Sequence, residues 1–431
     1  MELKSLKSSM NNTWKLLALG TLIWWVFFFL FFDSSSSHNL SLVFARNAML
    51  QLSHFKVLNS SKNIVKPSDE YSLRYNISSK VVPKYEVKKK CNMFDGRWVY
   101  KEDEKPNYDS TTCPFLEEKM SCRKNGRIDL DYEKWIWEAT ECDIPRFNGK
   151  DMMERLRNKR IIIAGDSLNR NMWESLACLL YTSIDSSRAE VQAESPVHKV
   201  FKAKDYNFTA EFYWSPFLIE FDRNHKSGKK VLVLDKVSPN SEHWKGADIM
   251  VFNSGHWWVH TGKFKAWDLF QYGKELTKEM EIEIAYKRAM KTWGKWIKNN
   301  VDPKKTSIYF RSISAEHTMK KYDQWCYNVT QPMTNKPYVS VYPNSLVNII
   351  VSLVEGMSKS LQAKYLNITK LSEIRIDAHP SIFRSKDWKM FEDNVAGYTD
   401  CSHWCLPGLP DTWNRLLYAS VIFDTSNQRT S

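Results

Sequence analysis

Beyond Cys142 the chain repeats one pattern: a short apolar run about a strand long, then a stretch with helical spacing. The runs are RIIIAG at 160–165, KVLVLD at 230–235, DIMVFN at 248–253, SIYFRS at 307–312 and EIRID at 373–377. Helical spacing predicts helices over 168–182, roughly 275–299, 344–365 and 411–422. Strand and helix in alternation predict an α/β fold, with a parallel sheet covered by helices on both faces. In such a sheet ligands bind at the carboxyl ends of the strands. Asp166 and Ser167 follow the first run, Asp235 closes the second, and Asn253 and His256 follow the third. His317 trails the fourth, and Asp377 with His379 closes the fifth, where an extended strand would put both on one face.

The N-terminal third reads differently. Residues 16–32, LLALGTLIWWVFFFLFF, hold no charge, and Lys4, Lys7 and Lys15 precede them. This run approaches the length of a bilayer core with its positive flank at the N-terminus, and only Asp33 and four serines follow, with no clear small-x-small cleavage site. The expectation is an uncleaved signal anchor over 16–32, a cytosolic tail over 1–15 and a lumenal remainder. The sequons at Asn39, Asn59, Asn76, Asn207, Asn328 and Asn367 lie beyond the anchor, where lumenal glycosylation would reach them. Residues 33–90, rich in Ser, Asn and Lys, are expected to form a stem. Residues 91–143 read as a loop-like, cysteine-rich subdomain that leans on disulfides, and 144–424 as the α/β domain.

Eight cysteines, all on the lumenal side, point to disulfides. No two Cys-x-x-Cys units occur, so zinc is not expected, and spacing cannot choose among about 105 pairings. The net charge of +13 is spread along the chain. It describes a solvated basic surface, and no nucleic-acid partner is expected because these residues would face the lumen. Aromatic residues reach 14%. Trp293 and Trp296 stand at core spacing, whereas Trp257 and Trp258, beside the end of the third run, are candidates for a sugar-binding cleft. Asp377, His379 and His317 are candidates to line it.

Ser167 invites two readings. A serine between a strand and a helix is a candidate nucleophile with oxyanion-stabilising backbone N–H groups nearby, and it is equally a candidate helix cap. A nucleophile needs a base. Asp377 with His379, in DAH, and Asp400 with His403, in DCSH, both supply a carboxylate and an imidazole at suitable spacing. The second pair has cysteines on both sides, Cys401 and Cys405, which would hold its loop in register.

GDSLNRN at 165–171 together with DCSHWCLPGLPDTWN at 400–414 resembles the plant trichome birefringence-like family of polysaccharide O-acetyltransferases. CNMFDGRWV, CDIPRF, NSGHWW and YNVTQP extend the resemblance over the lumenal region in the right order. It implies a GDSL/SGNH-like, flavodoxin-type parallel sheet with helices on both faces, plus a disulfide-rich N-terminal subdomain. It implies Ser167 as nucleophile, His403 as base and Asp400 as its orienter, with Arg170 and Asn253 as candidate oxyanion donors. It also implies the pairs Cys91–Cys142, Cys113–Cys178, Cys122–Cys405 and Cys326–Cys401. The expected activity is acetyl transfer to hydroxyls of a cell-wall polysaccharide, by a single-pass type II protein of the Golgi membrane. The donor would be acetyl-CoA or another lumenal acetyl donor, with no bound cofactor or metal. Acetyl-ester hydrolysis and polysaccharide binding without catalysis are the alternatives.

Overall fold

The computed structural model describes residues 91–193, 195–334 and 336–427. The cytosolic tail, anchor and stem expected over 1–90, with the sequons at Asn39, Asn59 and Asn76, lie outside the described residues. No helix among the described residues is long and apolar enough to cross a membrane.

A seven-stranded sheet organises the α/β region. Its order is Lys364–Leu366, Ser307–Arg311, Ile249–Phe252, Arg160–Gly165, Phe208–Trp214, His198–Ala203 and Ala189–Gln192. The first five are parallel, and the last two add antiparallel on the far edge. Arg160–Gly165 is central, and the alternation of its side chains divides the core. Ile161 and Ile163 join the cluster packed beneath helices Ser167–Tyr181 and Leu409–Asn427. Ile162 and Ala164 face the opposite cluster, beneath helices Ile282–Asn300 and Asn344–Leu361. Each isoleucine buried in this way contributes about 1.5–3 kcal/mol. A run of isoleucines is thus the expected sequence of a strand covered on both faces.

Three expectations need correction. The 230–235 run does form a strand, Val231–Val237, but in a separate four-stranded sheet with Ile219–Asp222, Leu269–Tyr272 and Glu275–Thr277. The start of the helix expected from about 275 belongs to that sheet, and the helix begins at Ile282. The 373–377 run is no strand. A short helix, Thr369–Glu373, leads into a turn at Ile376–Ala378. Within that turn Arg375 grips both oxygens of Asp377 at 3.0 Å. The true edge strand is the short Lys364–Leu366. Strands His198–Ala203 and Phe208–Trp214 went unpredicted because their apolar residues are interspersed with lysines, glutamate and threonine.

The cysteine-rich segment is less loop-like than expected. Gly96–Tyr100 and Trp135–Ala139 pair antiparallel, with Trp98 opposite Trp137 and their rings edge to face at 5.6 Å. Four disulfides join Cys91 to Cys142, Cys113 to Cys178, Cys122 to Cys405 and Cys326 to Cys401, the partners that the resemblance implies. Cys122–Cys405 spans 283 residues and ties this segment to the loop that carries His403.

Candidate active site

The central strand ends at Gly165, against Asn253. A Cβ on Gly165 would lie 1.9 Å from the Asn253 Oδ1, so no larger residue fits without displacing that side chain. The same Oδ1 accepts the backbone N–H of Asp166 at 3.1 Å. Asp166 then caps the helix: its Oδ1 accepts the N–H of Leu168 at 2.9 Å. Capping, one of the two readings of Ser167, therefore falls to its neighbour. Burial alone would raise the Asp166 carboxyl, but His256 Nδ1 at 3.3 Å and Arg311 at 3.9 Å hold it well below the usual range. The serine hydroxyl, relieved of capping, meets His403 Nε2 at 2.7 Å.

His403 sits on an irregular loop made rigid by its contacts. Asp400 faces its Nδ1 with one oxygen at 2.9 Å and the other at 3.2 Å. Asp400 also accepts the backbone N–H groups of Ser402 at 3.1 Å and His403 at 3.0 Å. Against the upward push of burial, His403 and these N–H groups keep the carboxyl far below the usual range, so it stays ionised. Ser381 and Asp400 exchange backbone hydrogen bonds, and disulfides at Cys401 and Cys405 anchor the loop at two points. Asn171 clasps it from the serine helix, accepting the N–H of Trp404 at 2.9 Å and donating to its carbonyl at 3.2 Å. Hydroxyl, imidazole and carboxylate are thus in line, with the imidazole bridging the other two. That arrangement can accept a proton from Ser167 and stabilise the resulting imidazolium.

The other candidates divide. Asn253 touches the strand end, and its side chain also supports the Asp166 carboxylate. Arg170 turns its guanidinium to Glu117 at 3.0 Å and lies over the Trp214 ring at 5.5 Å. Arg170 is thus paired with a carboxylate rather than open as the oxyanion donor that the resemblance implies. Trp257 is half-buried, edge to face with Trp214 at 5.4 Å. Trp258 is core: it is 1% exposed and donates its indole N–H to Ser254. Its place in a sugar cleft is withdrawn, because Phe217, Trp267 and Tyr286 enclose its ring. His317, Asp377 and His379 are withdrawn from the cleft for the same reason, since each is buried to 1% or less exposure. Asp377 belongs to Arg375, and the two histidines bond to each other.

Several contributors were not assigned from sequence. Asn171 and Asp166 lie within GDSLNRN, and the four-residue step from Ser167 to Asn171 puts both on one helix face. Trp214 carries no local signal; only the pairing of its strand with the central one, Gly165 opposite Trp214, brings it to the site. Among the described residues no group of three or more His, Cys, Asp or Glu side chains is placed to hold a metal ion.

Residues 144–420 match the GDSL/SGNH-like acyl-esterase family found in Pmr5 and Cas1p, and residues 89–143 match the PMR5 N-terminal domain. The chain is 40% identical over 349 residues to Protein trichome birefringence of Arabidopsis thaliana, covering 78% of this chain and 56% of that protein. It is 37% identical over 342 residues to Protein trichome birefringence-like 42 of the same plant, covering 78% of this chain and 91% of the relative. Probable xylan O-acetyltransferase 8 of Oryza sativa subsp. japonica is 39% identical over 349 residues, with 77% and 78% covered. The matched region spans less than two thirds of some relatives, 56% of the first and 62% of Protein trichome birefringence-like 1.

Proposed function

The chain belongs to the GDSL/SGNH-like acyl-esterase family with a PMR5 N-terminal domain, and from that premise we propose that it transfers acetyl groups to hydroxyls of a plant cell-wall polysaccharide through an acetyl-serine. The observation that carries the proposal is the 2.7 Å contact between Ser167 Oγ and His403 Nε2, with Asp400 on the other ring nitrogen. Ser167 Oγ attacks the donor's acetyl carbonyl as its proton passes to His403 Nε2. The tetrahedral intermediate collapses, the donor's leaving atom takes that proton, and the acetyl group remains on Ser167. A sugar hydroxyl then attacks the ester, giving its proton to His403, which returns it to Ser167 Oγ as the acetylated sugar departs. Asp400, ionised throughout, fixes the tautomer and offsets the imidazolium charge. The oxyanion is assigned to the backbone N–H of Ser167 and the Asn253 amide nitrogen.

Trp257 and Trp214, half-buried and edge to face with each other, are assigned to stacking with the acceptor sugar. Xylan is the first acceptor to try, since some relatives are named as xylan O-acetyltransferases. The donor is acetyl-CoA or another acetyl ester of the lumen. A type II Golgi topology accords with exposure of Asn207, Asn328 and Asn367, the three sequon asparagines among the described residues. Hydrolysis is the second reading, favoured by the esterase description of the family: water in place of the sugar would release acetate. Incubating the protein with an isotopically labelled acetyl donor and xylo-oligosaccharides separates the two. Labelled sugar is expected, with none formed by Ser167→Ala. Label on sugar in that variant would overturn the mechanism, and label in acetate alone would select hydrolysis.

A further inference from the structure

Behind the catalytic loop lie two buried histidines whose hydrogen bonds count out a proton. His379 Nδ1 is 2.6 Å from the backbone carbonyl of His403, and His317 Nε2 is 2.7 Å from the carbonyl of Glu373. Between them, His317 Nδ1 and His379 Nε2 are 2.7 Å apart. A carbonyl only accepts, so each nitrogen facing one must carry hydrogen. Two nitrogens at 2.7 Å also need a hydrogen between them, because facing lone pairs repel. Three contacts require three protons, and two neutral imidazoles bring only two.

We propose that His317 and His379 share one additional proton as an imidazole–imidazolium pair, which grips the His403 carbonyl and so positions the catalytic ring. The reading of Ser167 and His403 given above is its premise. Several features suit a cation there. Trp404 lies face to face with His379, its ring 3.9 Å away at 21°, and a π face attracts positive charge. The Asp400 carboxylate favours protonation of His379. The backbone is also tied at this point: the His317 N–H donates to the carbonyl of Cys401, and the Arg127 guanidinium donates to the carbonyl of His379.

Other groups oppose the charge. Burial is the largest, drawing His317 down to about 4 and His379 well below the ordinary histidine value. His403 and Arg127 add positive charge nearby and the Arg375–Asp377 pair is close to neutral, whereas the acidic Glu316 and Glu373, next to His317 in sequence and contact, act in the other direction. The third proton is therefore held at acid pH and leaves as pH rises through a value below that of an exposed histidine. One of the three contacts then goes. His403 loses part of its support while the fold stays intact.

Two variants and one spectrum test this. Asparagine at 379 places its amide nitrogen where Nδ1 stands and keeps the donor to His403, whereas glutamine places it at Nε2 and loses that donor. With para-nitrophenyl acetate as substrate, His379→Asn is expected to keep kcat within about threefold and to lose one ionisation from its pH profile. His379→Gln should lose about tenfold in kcat at unchanged KM. Equal kcat losses in the two variants would overturn the positioning role. Nitrogen NMR of the labelled full-length protein reads the protons directly and needs no turnover. Protonated nitrogens are expected at both carbonyl-facing positions at the acid end of the folded range. A bare nitrogen at either position throughout that range would overturn the shared proton. Absence of turnover with the expected spectrum would count against the role of Ser167 alone.

Discussion

The two halves of the proposed active site are held by different means. Ser167 rests on regular structure, between a central strand buried on both faces and a helix capped by Asp166. His403 rests on an irregular loop, where disulfides, side-chain hydrogen bonds and a histidine pair do what a backbone ladder does for the serine. The contrast teaches that one side-chain geometry can be built half from cooperative secondary structure and half from individual cross-links. The first half should yield to backbone changes, and the second to the loss of single tethers.

Removing chemistry without touching either support gives the largest effect. Ser167→Ala should cut turnover by roughly 10⁵–10⁶-fold. Its thermal midpoint should stay near that of the parent, because Asp166 supplies the cap. A midpoint lowered as far as that of a core mutant would show that the serine supports the fold as well. On the histidine side, Asp400→Asn should cost about 10⁴-fold in kcat by releasing the ring's tautomer and orientation. Substrate KM measured alongside should move little.

The next test cuts a tether. Cys326→Ser with Cys401→Ser opens a loop of 75 residues and should destabilise by about 3–4 kcal/mol. Turnover should fall further than in a control lacking Cys91 and Cys142, which lie away from the His403 loop. Equal losses would mean that this loop does not depend on its own staple. Gly165→Ala attacks the serine side instead, forcing a methyl group into Asn253 at an expected cost of about 1–3 kcal/mol. Denaturant midpoints would show it, and repacking by Asn253→Ala should recover part of the loss.

The smallest effect probes Glu174, buried on the serine helix. Burial and the nearby Glu117 push its carboxyl well above the usual range, so the folded state holds a proton that the unfolded chain has released. That stability is full below the ordinary glutamate value and declines as pH rises through the raised one. Glu174→Gln is neutral at every pH. Its midpoint should gain on the parent by a degree or two on going from acid to alkaline conditions. A constant difference across pH would place the proton elsewhere.

Much of this was legible in the sequence where the signal is local. RIIIAG announces a two-face buried strand, Gly-Asp-Ser its sharp exit, and the spacing of 168–182 the helix that follows. The alternation of runs gave the fold class, and DCSH kept the carboxylate and imidazole within a turn of each other. EIRID misled because alternating apolar and charged residues over this length read as a strand, while the segment in fact joins a short helix to a turn. Trp258 misled because sequence adjacency to Trp257 says nothing of which ring the core encloses.

What the chain alone determined are the elements whose stabilising contacts lie a few residues apart: strand periodicity, helix periodicity and the Asp–His step. Only the tertiary structure decided which residues meet from afar. His403 reaches Ser167 across 236 positions, Trp214 arrives through strand pairing, and His317 finds His379 in the interior. The reason is physical. Local patterns are set by the backbone's own repeat, whereas long-range contacts are chosen by the burial and hydrogen bonding of the whole chain at once.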